Sequence, residues 1–196
     1  MEKINISIVL YHNRKEQIEK LICNILNTKL EIKLYLVDNS SNNDLKEVSK
    51  VDNKIKYIFN NANLGFGKAH NIALKKTIEN NVPYHLVLNP DVYFEKGVLG
   101  ELYNFMEKNP EVGLVIPKVL YPNGAIQYLC KLLPMPFDLF VRRFLNFGPF
   151  KNYIEKRNEN CAFRFTGDNK KKRFHIYLDA LYLLKMYRQK FHFSRN

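Results

Sequence analysis

Asn89 and Asp91 stand on either side of Pro90, directly after the apolar run of residues 86–88. A carboxylate at the end of an apolar strand loses hydration, so it is either a turn-forming residue or a ligand whose partner compensates for that loss. Hard divalent cations are held by one or two carboxylates together with substrate phosphates. The sequence therefore offers Asp91 as a candidate metal ligand, with Asn89 beside it. The alternative is a simple Asn-Pro-Asp turn.

Asp38 ends a second apolar run, residues 32–37, and is followed by Asn39 and Ser40. A carboxylate in this place can accept hydrogen bonds from a ribose or from the imide N–H of a uracil or thymine. The alternative roles are local, namely an Asx-turn or the cap of the helix that follows. Asp38 is thus a candidate nucleotide contact whose surroundings also fit a turn.

The segment of residues 60–73, NNANLGFGKAHNIA, places glycines and amide side chains ahead of a helical pattern. Gly65 and Gly67 permit positive φ and close approach by a ligand, and the free N–H groups of a helix N-terminus attract phosphate. The segment is neither a dinucleotide-binding G-x-G-x-x-G nor a Walker loop. A glycine-containing turn with Asn71 exposed on a helix explains the same residues.

The elements that must position these residues alternate between strands and helices. Apolar runs predict strands over residues 4–11, 32–37, 55–59 and 84–88. Helical spacing predicts helices over residues 14–27 and 42–50, from about Lys68 onward, and over 95–110. Such alternation implies an α/β fold with a mainly parallel sheet and helices on both faces. Ligands of such sheets bind outside the carboxyl ends of the strands, which is where the polar residues cluster.

The later part of the chain has a different character. Residues 112–125 are typical of a strand followed by a turn, and the final stretch, 176–196, is predicted as a helix. Residues 1–130 carry 16 Lys and Arg against 14 Asp and Glu, whereas residues 131–196 carry 15 against 5. The chain is therefore expected to divide into a first region, 1–130, and a basic, aromatic and irregular region, 131–196.

Composition limits the class of protein. Hydrophobic residues make up 46% of the 196 residues and aromatic residues 13%, which excludes general disorder. Cys23, Cys130 and Cys161 are too widely spaced for a zinc site or a disulfide framework, which favours a reducing compartment. The N-terminus lacks a signal-peptide cleavage site, and no run approaches the roughly 18 to 20 apolar residues of a membrane span. These features predict a cytoplasmic protein.

Four stretches, SIVLYHN, VDNSS, NLGFGKAHNIA and LVLNPDV, occur in this order and together resemble family 2 glycosyltransferases of the GT-A fold. They are especially similar to bacterial rhamnosyltransferase-like members that build cell-surface polysaccharide. The resemblance covers about residues 4–128. It implies a Rossmann-like nucleotide-sugar-binding domain within residues 1–130. It also implies direct displacement at the anomeric carbon of a UDP- or dTDP-sugar, with rhamnose as one candidate sugar.

The same resemblance assigns roles to single residues. It implies that Asp91 binds Mg²⁺ or Mn²⁺ at the diphosphate, that Asp38 contacts the base, and that the loop from Asn63 to Asn71 lines the nucleotide pocket. Asn89 stands where many members have a first Asp. The nucleotide-sugar contacts implied in this way are Tyr11, Asn13, Asp38, Asn39, Asn63, Gly65, Gly67, Asn71 and Asn89.

The acceptor half departs from the family pattern. Similar enzymes continue with a Ser-Gly-Cys-Phe-like strand and an acidic pair that holds the catalytic base, and residues 131–196 contain neither motif. The catalytic base is therefore not assigned, and the chain is expected to be truncated or read out of frame near residue 176. The implied acceptor is a saccharide or a lipid-linked molecule. Peripheral contact with the inner face of the cell membrane fits the aromatic and basic residues 137–147.

Two other functions stay open at this point. A chain without the catalytic base is also consistent with a non-catalytic nucleotide-sugar-binding fragment. The basic run KKKR at residues 170–173 is consistent with a nucleic-acid-binding protein, but no helix-turn-helix, RNP or zinc motif accompanies it. Nucleic acid is therefore not expected as a partner.

Overall fold

The structure, a computed structural model, describes residues 3–117, 119–120, 126–127, 176–177 and 181–186. The chain divides into two compact units, one formed by Met1–Pro117 with Ile176–Asn196 and the other by Lys118–His175. The first unit contains the elements that form the candidate site. The division predicted at residue 130 stays a prediction.

Ten strands are present in the described part of the chain. They are β1 (Lys3–Leu10), β2 (Glu31–Asp38), β3 (Ile55–Phe59), β4 (Tyr84–Leu88), β5 (Tyr93–Phe94), β6 (Leu114–Val115), β7 (Val119–Leu120), β8 (Ile126–Gln127), β9 (Ile176–Tyr177) and β10 (Leu181–Lys185). Six of them form the central sheet, in the order β3-β2-β1-β4-β10-β6. Strands β1 to β4 are parallel, and β10 runs antiparallel to β4 and β6. This mainly parallel sheet confirms the predicted α/β fold class.

Three α-helices and one 3-10 helix connect these strands in the described residues. They are α1 (Lys15–Leu26), the 3-10 helix (Asp44–Val51), α2 (Phe66–Glu79) and α3 (Val98–Lys108). Helix α1 buries Ile18, Leu21, Ile22 and Ile25, whose spacing gives a single apolar face. Helix α2 begins at Phe66, two residues before the predicted start at Lys68. Gly65 precedes it with a φ of 77°, a left-handed value that glycine adopts at little cost.

The chain order reverses at β1, and this reversal defines where a ligand can bind. From β1 the chain moves outward to β2 and β3, and α2 then crosses back so that β4 pairs with the other side of β1. Right-handed crossovers in opposite directions place α1 and α2 on opposite faces of the sheet. A crevice therefore opens outside the carboxyl ends of β1 and β4, the usual ligand position in open α/β sheets.

The two faces of the sheet differ in chemistry. One face is aliphatic and includes the fully buried Ile4, Ile6 and Ile8, each of which contributes about 1.5–3 kcal/mol by burial. The opposite face packs against α2, where the small residues Ala69 and Ala73 lie against Tyr35 and Val37. That second face also carries buried polar residues, listed with the site below. These polar residues break the apolar sequence pattern, but the strands that contain them remain continuous.

Strand β10 corrects the predicted helix over residues 176–196. It lies between β4 and β6, and Leu183 is fully buried. A short, continuous apolar run fits a buried strand or a helix equally well by periodicity, and pairing with two neighbours selects the strand. The expected truncation or change of frame near residue 176 stays a prediction. Residues 187–196 lie outside the described residues.

The remaining short strands form two antiparallel pairs. In the first unit β5 pairs with β9, and in the second unit β7 pairs with β8, on either side of the predicted turn at residues 122–125. The turn residues, the aromatic stretch 137–147 and the basic run 170–173 lie outside the described residues. Within the described part of the chain, none of the helices has the length and apolar character required to cross a membrane.

Candidate functional site

A cleft of about 540 Å³ opens outside the carboxyl ends of β1 and β4, and we call it the switch-point cleft. It lies where the strand order predicts a ligand, and its walls come from the residues after β1, β2 and β4 and from the loop before α2. Most of the site residues predicted from the sequence line it, namely Tyr11, Asn13, Asn39, Asn63, Asn89 and Asp91. Phe66, the first residue of α2, lies within the loop from Asn63 to Asn71 that was expected to line the pocket, although it was not named singly, and it forms part of the wall.

Asn89 and Asp91 both line the switch-point cleft, and their side-chain oxygens differ in environment. Asn89 Oδ1 is buried and has no hydrogen-bond partner among the described residues. Leaving a buried acceptor unpaired costs about 1–3 kcal/mol, which a bound donor or cation would recover. The Asp91 side chain is exposed, and the ion pairs of the described residues leave its carboxylate unengaged.

The Asn-Pro-Asp segment is also a turn, as the alternative interpretation predicts. The backbone N–H of Val92 donates to the carbonyl oxygen of Asn89 at 3.4 Å. Gln17 of α1 donates through Nε2 to the carbonyl oxygen of Pro90 at 3.1 Å, which anchors the turn to the helix. The turn and a ligand role are therefore compatible, because these bonds use backbone atoms and leave the Asp91 side chain unengaged.

Asp38, at the end of β2, is almost completely buried, with 1% of its surface exposed. Its Oδ1 accepts a hydrogen bond from the backbone N–H of Ser40 at 2.8 Å, which is the predicted Asx-turn. Its Oδ2 accepts a hydrogen bond from the Tyr57 hydroxyl at 2.6 Å. Burial, together with this hydrogen bond and the negative charge of Asp38, raises the pKa of Tyr57. The fold therefore already uses both oxygens of Asp38.

A second, smaller cleft lies beside the switch-point cleft, and we call it the β2-end cleft. Its volume is about 310 Å³, and its walls include Asp38, Ser40, Lys15 and Asp44. Asn13 lines both clefts. Asp38, the predicted base contact, therefore lines a cleft that adjoins the cleft of Asp91, the predicted metal ligand.

Hydrogen bonds from backbone N–H groups to side chains order the segment after β1 and join it to the segment after β2. The N–H of His12 donates to Ser40 Oγ at 2.9 Å, and the N–H of Tyr11 donates to Asn13 Oδ1 at 2.8 Å. His12 has a φ of 51°, which is uncommon for a residue with a Cβ and marks a constrained turn. The side chains of Tyr11 and Asn13 are thus presented to the clefts from a fixed backbone.

The loop before α2 is fixed by amide side chains. Asn63 Oδ1 accepts from the N–H of Gly65 at 3.0 Å, and Asn39 Oδ1 accepts from Asn60 Nδ2 at 2.8 Å. Asn39 Nδ2 donates to the carbonyl oxygen of Gly65 at 3.5 Å. Asn39 and Asn63 therefore position the N-terminus of α2, which has no side-chain cap.

Three of the predicted residues, Gly65, Gly67 and Asn71, line neither cleft. Gly67 is in the first turn of α2 and does not have the positive φ that its sequence context allowed, because the helix begins one residue earlier. A Cβ at Gly67 would meet no atom within 4 Å. Asn71 is exposed on α2, as the alternative interpretation predicts. Gly65 lies between these regions and hydrogen-bonds to Asn39 and Asn63.

A buried polar layer beneath the clefts was not predicted from the sequence. It consists of Asn5 and Ser7 of β1, His70 and Thr77 of α2, and His85 of β4. Burial lowers the pKa of His70 to about 4. Burial and the nearby His70 lower the pKa of His85 to about 3. The signal was polar residues within two otherwise apolar strands: Asn5 and Ser7 alternate in β1 and so share one face of the sheet, and His85 lies in β4.

Comparison with known proteins agrees with this arrangement. The sequence model of glycosyl transferase family 2 matches residues 7–174. A search of curated protein sequences gives no match.

Solved structures with the same fold include TarS of S. aureus. The structure of TarS 1–349 with UDP is 18% identical, with a TM-score of 0.54, covering 92% of this chain and 59% of that one. The structure of TarS 1–349 with UDP-GlcNAc is 22% identical, with a TM-score of 0.52, covering 68% and 37%. A further TarS structure is 21% identical, with a TM-score of 0.50, covering 68% and 23%. At this identity the likeness establishes the fold, and the chain spans less than two thirds of each TarS chain.

The family match extends over most of the chain, and the GT-A likeness of the structures agrees with the strand order and with the position of the clefts. The chain therefore belongs to glycosyl transferase family 2.

Proposed function

We propose that the chain binds a nucleotide-diphosphate sugar in the switch-point cleft and acts as a glycosyltransferase with the help of a divalent cation. The observation that carries the proposal is the pairing of a buried, unpartnered amide oxygen, Asn89 Oδ1, with the unengaged carboxylate of Asp91 in one cleft. The TarS structures with UDP and UDP-GlcNAc, which share the fold, support a ligand of this class.

The residues present fit Mg²⁺ or Mn²⁺. Both cations prefer oxygen ligands and are commonly held by one or two carboxylates with phosphate oxygens completing the shell. Asp91 would supply the carboxylate and Asn89 Oδ1 an amide oxygen. Among the described residues no cluster of three or more His, Cys, Asp or Glu side chains is present, so tight binding would require the diphosphate. When bound, the cation would neutralise charge on the departing nucleoside diphosphate.

The other residues of the two clefts would orient the donor. The uncapped N-terminus of α2, which starts at Phe66, offers free backbone N–H groups to a phosphate. Tyr11, which is half-exposed, offers an aromatic face beside Asn13. Asp38 retains further lone pairs on oxygens that already accept from Ser40 and Tyr57, so it can accept a base imide N–H at the β2-end cleft without losing those bonds.

A second candidate function is nucleotide-sugar binding without transfer. Direct displacement needs a group that removes the acceptor proton, and a carboxylate commonly has this role. Among the described residues, the carboxylates that line the two clefts are Asp38, Asp44 and Asp91. Asp38 is committed to the fold, Asp91 is the proposed cation ligand, and Asp44 accepts from Asn42 Nδ2 at 2.7 Å. Each carboxylate of the two clefts therefore already has another role, which favours binding without transfer as the second candidate function.

The finer assignments extend the same proposal. A UDP- or dTDP-sugar, rhamnose as the transferred sugar, and a saccharide or lipid-linked acceptor in cell-surface polysaccharide synthesis are supported by the resemblance of the sequence motifs. A cytoplasmic location with contact at the inner face of the membrane rests on the composition and on residues 137–147. Vesicles with anionic lipids, compared with neutral vesicles in a sedimentation assay, test this contact.

A panel of donors measured with and without metal tests the main proposal. Calorimetry with UDP-GlcNAc, UDP-glucose, dTDP-rhamnose and GDP-mannose should show binding of at least one donor in MnCl₂ and a large loss of affinity in EDTA. Absence of binding by every donor in MnCl₂ would refute the proposed function.

Product analysis then separates the two candidate functions. Release of the nucleoside diphosphate from the bound donor, with or without a sugar acceptor, supports the transferase. Binding without turnover of any donor supports the non-catalytic alternative. The variant Asp91→Ala serves as the control for turnover caused by a contaminant, because it removes the proposed cation ligand without disturbing a buried contact.

A further inference from the structure

The buried polar layer forms a continuous chain of hydrogen bonds between α2 and the sheet. Asn5 Nδ2 donates to Thr77 Oγ1 at 3.0 Å, and Thr77 Oγ1 lies 2.7 Å from His85 Nδ1. Ser7 Oγ lies 2.7 Å from His85 Nε2 and 2.7 Å from His70 Nδ1. This series of hydrogen bonds therefore begins at Asn5 and Thr77 and ends at His70.

We assign the direction of each bond in this hydrogen-bond chain by starting from the contact between the Thr77 hydroxyl and the carbonyl oxygen of Ala73. Thr77 Oγ1 donates its only proton to the carbonyl oxygen of Ala73 at 3.1 Å, so it must accept from His85 Nδ1. His85 Nε2 is then the acceptor, and it receives the Ser7 proton. Ser7 has no second proton to give, so His70 must donate to it through Nδ1.

This sequence of donors leaves His70 with a bare lone pair on Nε2. That nitrogen is buried, and it has no hydrogen-bond partner among the described residues. The His70 side chain as a whole is 3% exposed. An unpaired acceptor in such a place is costly for a fold to retain, which is a reason to look for a ligand that uses it.

His70 contacts the sheet through Nδ1, which faces Ser7 of β1, so Nε2 is not used by that contact. Side chains of a helix lean toward its N-terminus, and residues four apart share a face, so His70 leans toward Phe66. The two rings meet edge to face with centroids 4.3 Å apart. Phe66 is 51% exposed and lines the switch-point cleft, so the ring that contacts His70 also borders the cleft.

We propose that His70 Nε2 accepts a hydrogen bond from an O–H or N–H group of the nucleotide sugar, reached when the Phe66 side chain turns aside. Ser7 and His85 are positioning residues that hold His70 in the tautomer this contact requires. The inference rests on the proposed function, since it needs a ligand in the switch-point cleft. The donating group belongs either to the nucleoside or to the transferred sugar.

Phe66 has the freedom that this contact needs. Its neighbours Gly65 and Gly67 carry no side chains, and a Cβ at either would meet no atom within 4 Å. Exposed side chains change rotamer in picoseconds to nanoseconds, so the ring can turn without movement of the α2 backbone. The exposed acceptor would then face the cleft lined by Asn63 and Asn89.

Nitrogen NMR of the histidine rings in the ¹⁵N-labelled full chain tests the inference directly. In the free protein with MgCl₂, His70 should show a protonated Nδ1 and a bare Nε2, assigned by comparison with His70→Phe. Titration with UDP-GlcNAc should shift the Nε2 resonance toward the hydrogen-bonded range, and MgCl₂ alone should not. Titration with UDP identifies the source, because a shift with UDP assigns the donor group to the nucleoside and a shift with UDP-GlcNAc alone assigns it to the sugar.

Two variants add a binding measurement. His70→Phe should weaken UDP-GlcNAc binding about 3- to 10-fold, the range for one neutral hydrogen bond, whereas His70→Gln, which keeps a donor and an acceptor, should lose less. Ser7→Ala should leave His70 in place but give a mixture of its two tautomers in the NMR spectrum. If His70→Phe does not fold, His70→Gln supplies the resonance assignment and the wild-type titration decides.

The outcomes separate the inference from the function. UDP-GlcNAc that binds while the His70 Nε2 resonance stays unchanged overturns the inference and leaves the proposed function intact. A protonated Nε2 in the free protein overturns the tautomer assignment and with it the inference. Failure of every nucleotide and nucleotide sugar to bind in MgCl₂ or MnCl₂ overturns both.

Discussion

Asp38 and Asp91 occupy similar places in the sequence and very different places in the structure. Each follows an apolar strand of the parallel sheet, and each is followed by a turn. Asp38 is 1% exposed and accepts hydrogen bonds from Ser40 and Tyr57, whereas Asp91 is exposed and its carboxylate is unengaged. A strand-end acid can therefore be part of the fold or be available to a ligand, and only its neighbours decide which.

The difference arises from the strand that lies beside each acid. Asp38 pairs in register with Phe59 of β3, so the side chain of Tyr57, two residues earlier on the same face, can reach it. Asp91 lies three residues beyond Leu88, the last residue of β4, and the Asn-Pro-Asp turn carries it away from the sheet. We infer that evolutionary change at Asp38 would be limited by stability and change at Asp91 by binding.

The largest expected effect is on stability at the end of β2. Asp38→Ala removes a buried acceptor of two hydrogen bonds, each of which is worth about 1.5–3 kcal/mol when one partner is charged. We expect the free energy of unfolding to fall by about 3 kcal/mol or more in that variant. Urea unfolding followed by circular dichroism measures it, with Asp91→Ala as the matched variant at an exposed position, where a change of no more than about 0.5 kcal/mol is expected.

The variant Asp38→Asn sharpens this test. An amide keeps an oxygen for the Ser40 N–H and presents an N–H₂ group to the Tyr57 hydroxyl, which can accept, so most of the stability should be retained. An equal loss in Asp38→Asn and Asp38→Ala would show that the negative charge, and not hydrogen bonding, stabilises this end of β2. An equal loss in Asp91→Ala would contradict the comparison itself.

The next effect is a loss of stability at low pH caused by the buried histidines. It sets a buried polar layer against the strand-end acids. The pKa of His70 is about 4 and that of His85 about 3 in the folded chain, both below the ordinary 6.5 of an unfolded histidine. Below pH 6.5 the unfolded chain therefore binds protons that the folded chain does not, and stability falls as pH falls toward these values. We expect the free energy of unfolding to fall between pH 7 and pH 4 by on the order of 3 kcal/mol for each of the two histidines, measured by urea unfolding at each pH.

His70→Phe is the control for this pH dependence. It removes the group that titrates first in the folded chain, so its stability should decline less steeply over the same pH range. A decline as steep as that of the wild type would mean that His70 does not contribute to the pH dependence of stability.

Much of this arrangement could be predicted from the sequence. Strand β3 and strand β4 were predicted with their observed bounds, because each is a short apolar run flanked by polar turn residues. The gathering of Asn13, Asn39 and Asp91 at one edge followed from the parallel sheet alone. The use of Asp38 by Tyr57 could not be predicted, since it depends on the register of β2 against β3.

The buried polar layer and strand β10 could not be predicted from the sequence, also for physical reasons. The polar layer needs the register of β1 against β4, which brings Asn5 opposite His85, and the crossing of α2, which brings His70 to Ser7. Strand β10 is far from β4 in sequence, and a continuous apolar run does not distinguish a strand from a helix. Its place in the sheet follows only from the pairing with Leu86 and Val115.

The effect on ligand binding at the end of β4 is expected to be smaller in free energy than the effects on stability above. Asp91→Ala should weaken the Mn²⁺-dependent binding of a nucleotide sugar about 30-fold, or about 2 kcal/mol, because one of two proposed protein oxygens is lost. Binding of the same donor in EDTA should be equally weak in the wild type and the variant. Calorimetry against the donor that binds best measures both, and unchanged affinity in MnCl₂ would remove Asp91 from the cation site.

The smallest expected effect isolates the bond between Tyr57 and Asp38. Tyr57→Phe keeps the ring, which stacks on Phe59 with centroids 6.5 Å apart, and removes only the hydroxyl. We expect a loss of about 1 kcal/mol in the free energy of unfolding, since the bond is only partly buried. In the Asp38→Asn background the same change should cost less, because the charge that strengthens the bond is gone. If the two losses were equal, the strength of the bond from the Tyr57 hydroxyl would not depend on the negative charge of Asp38.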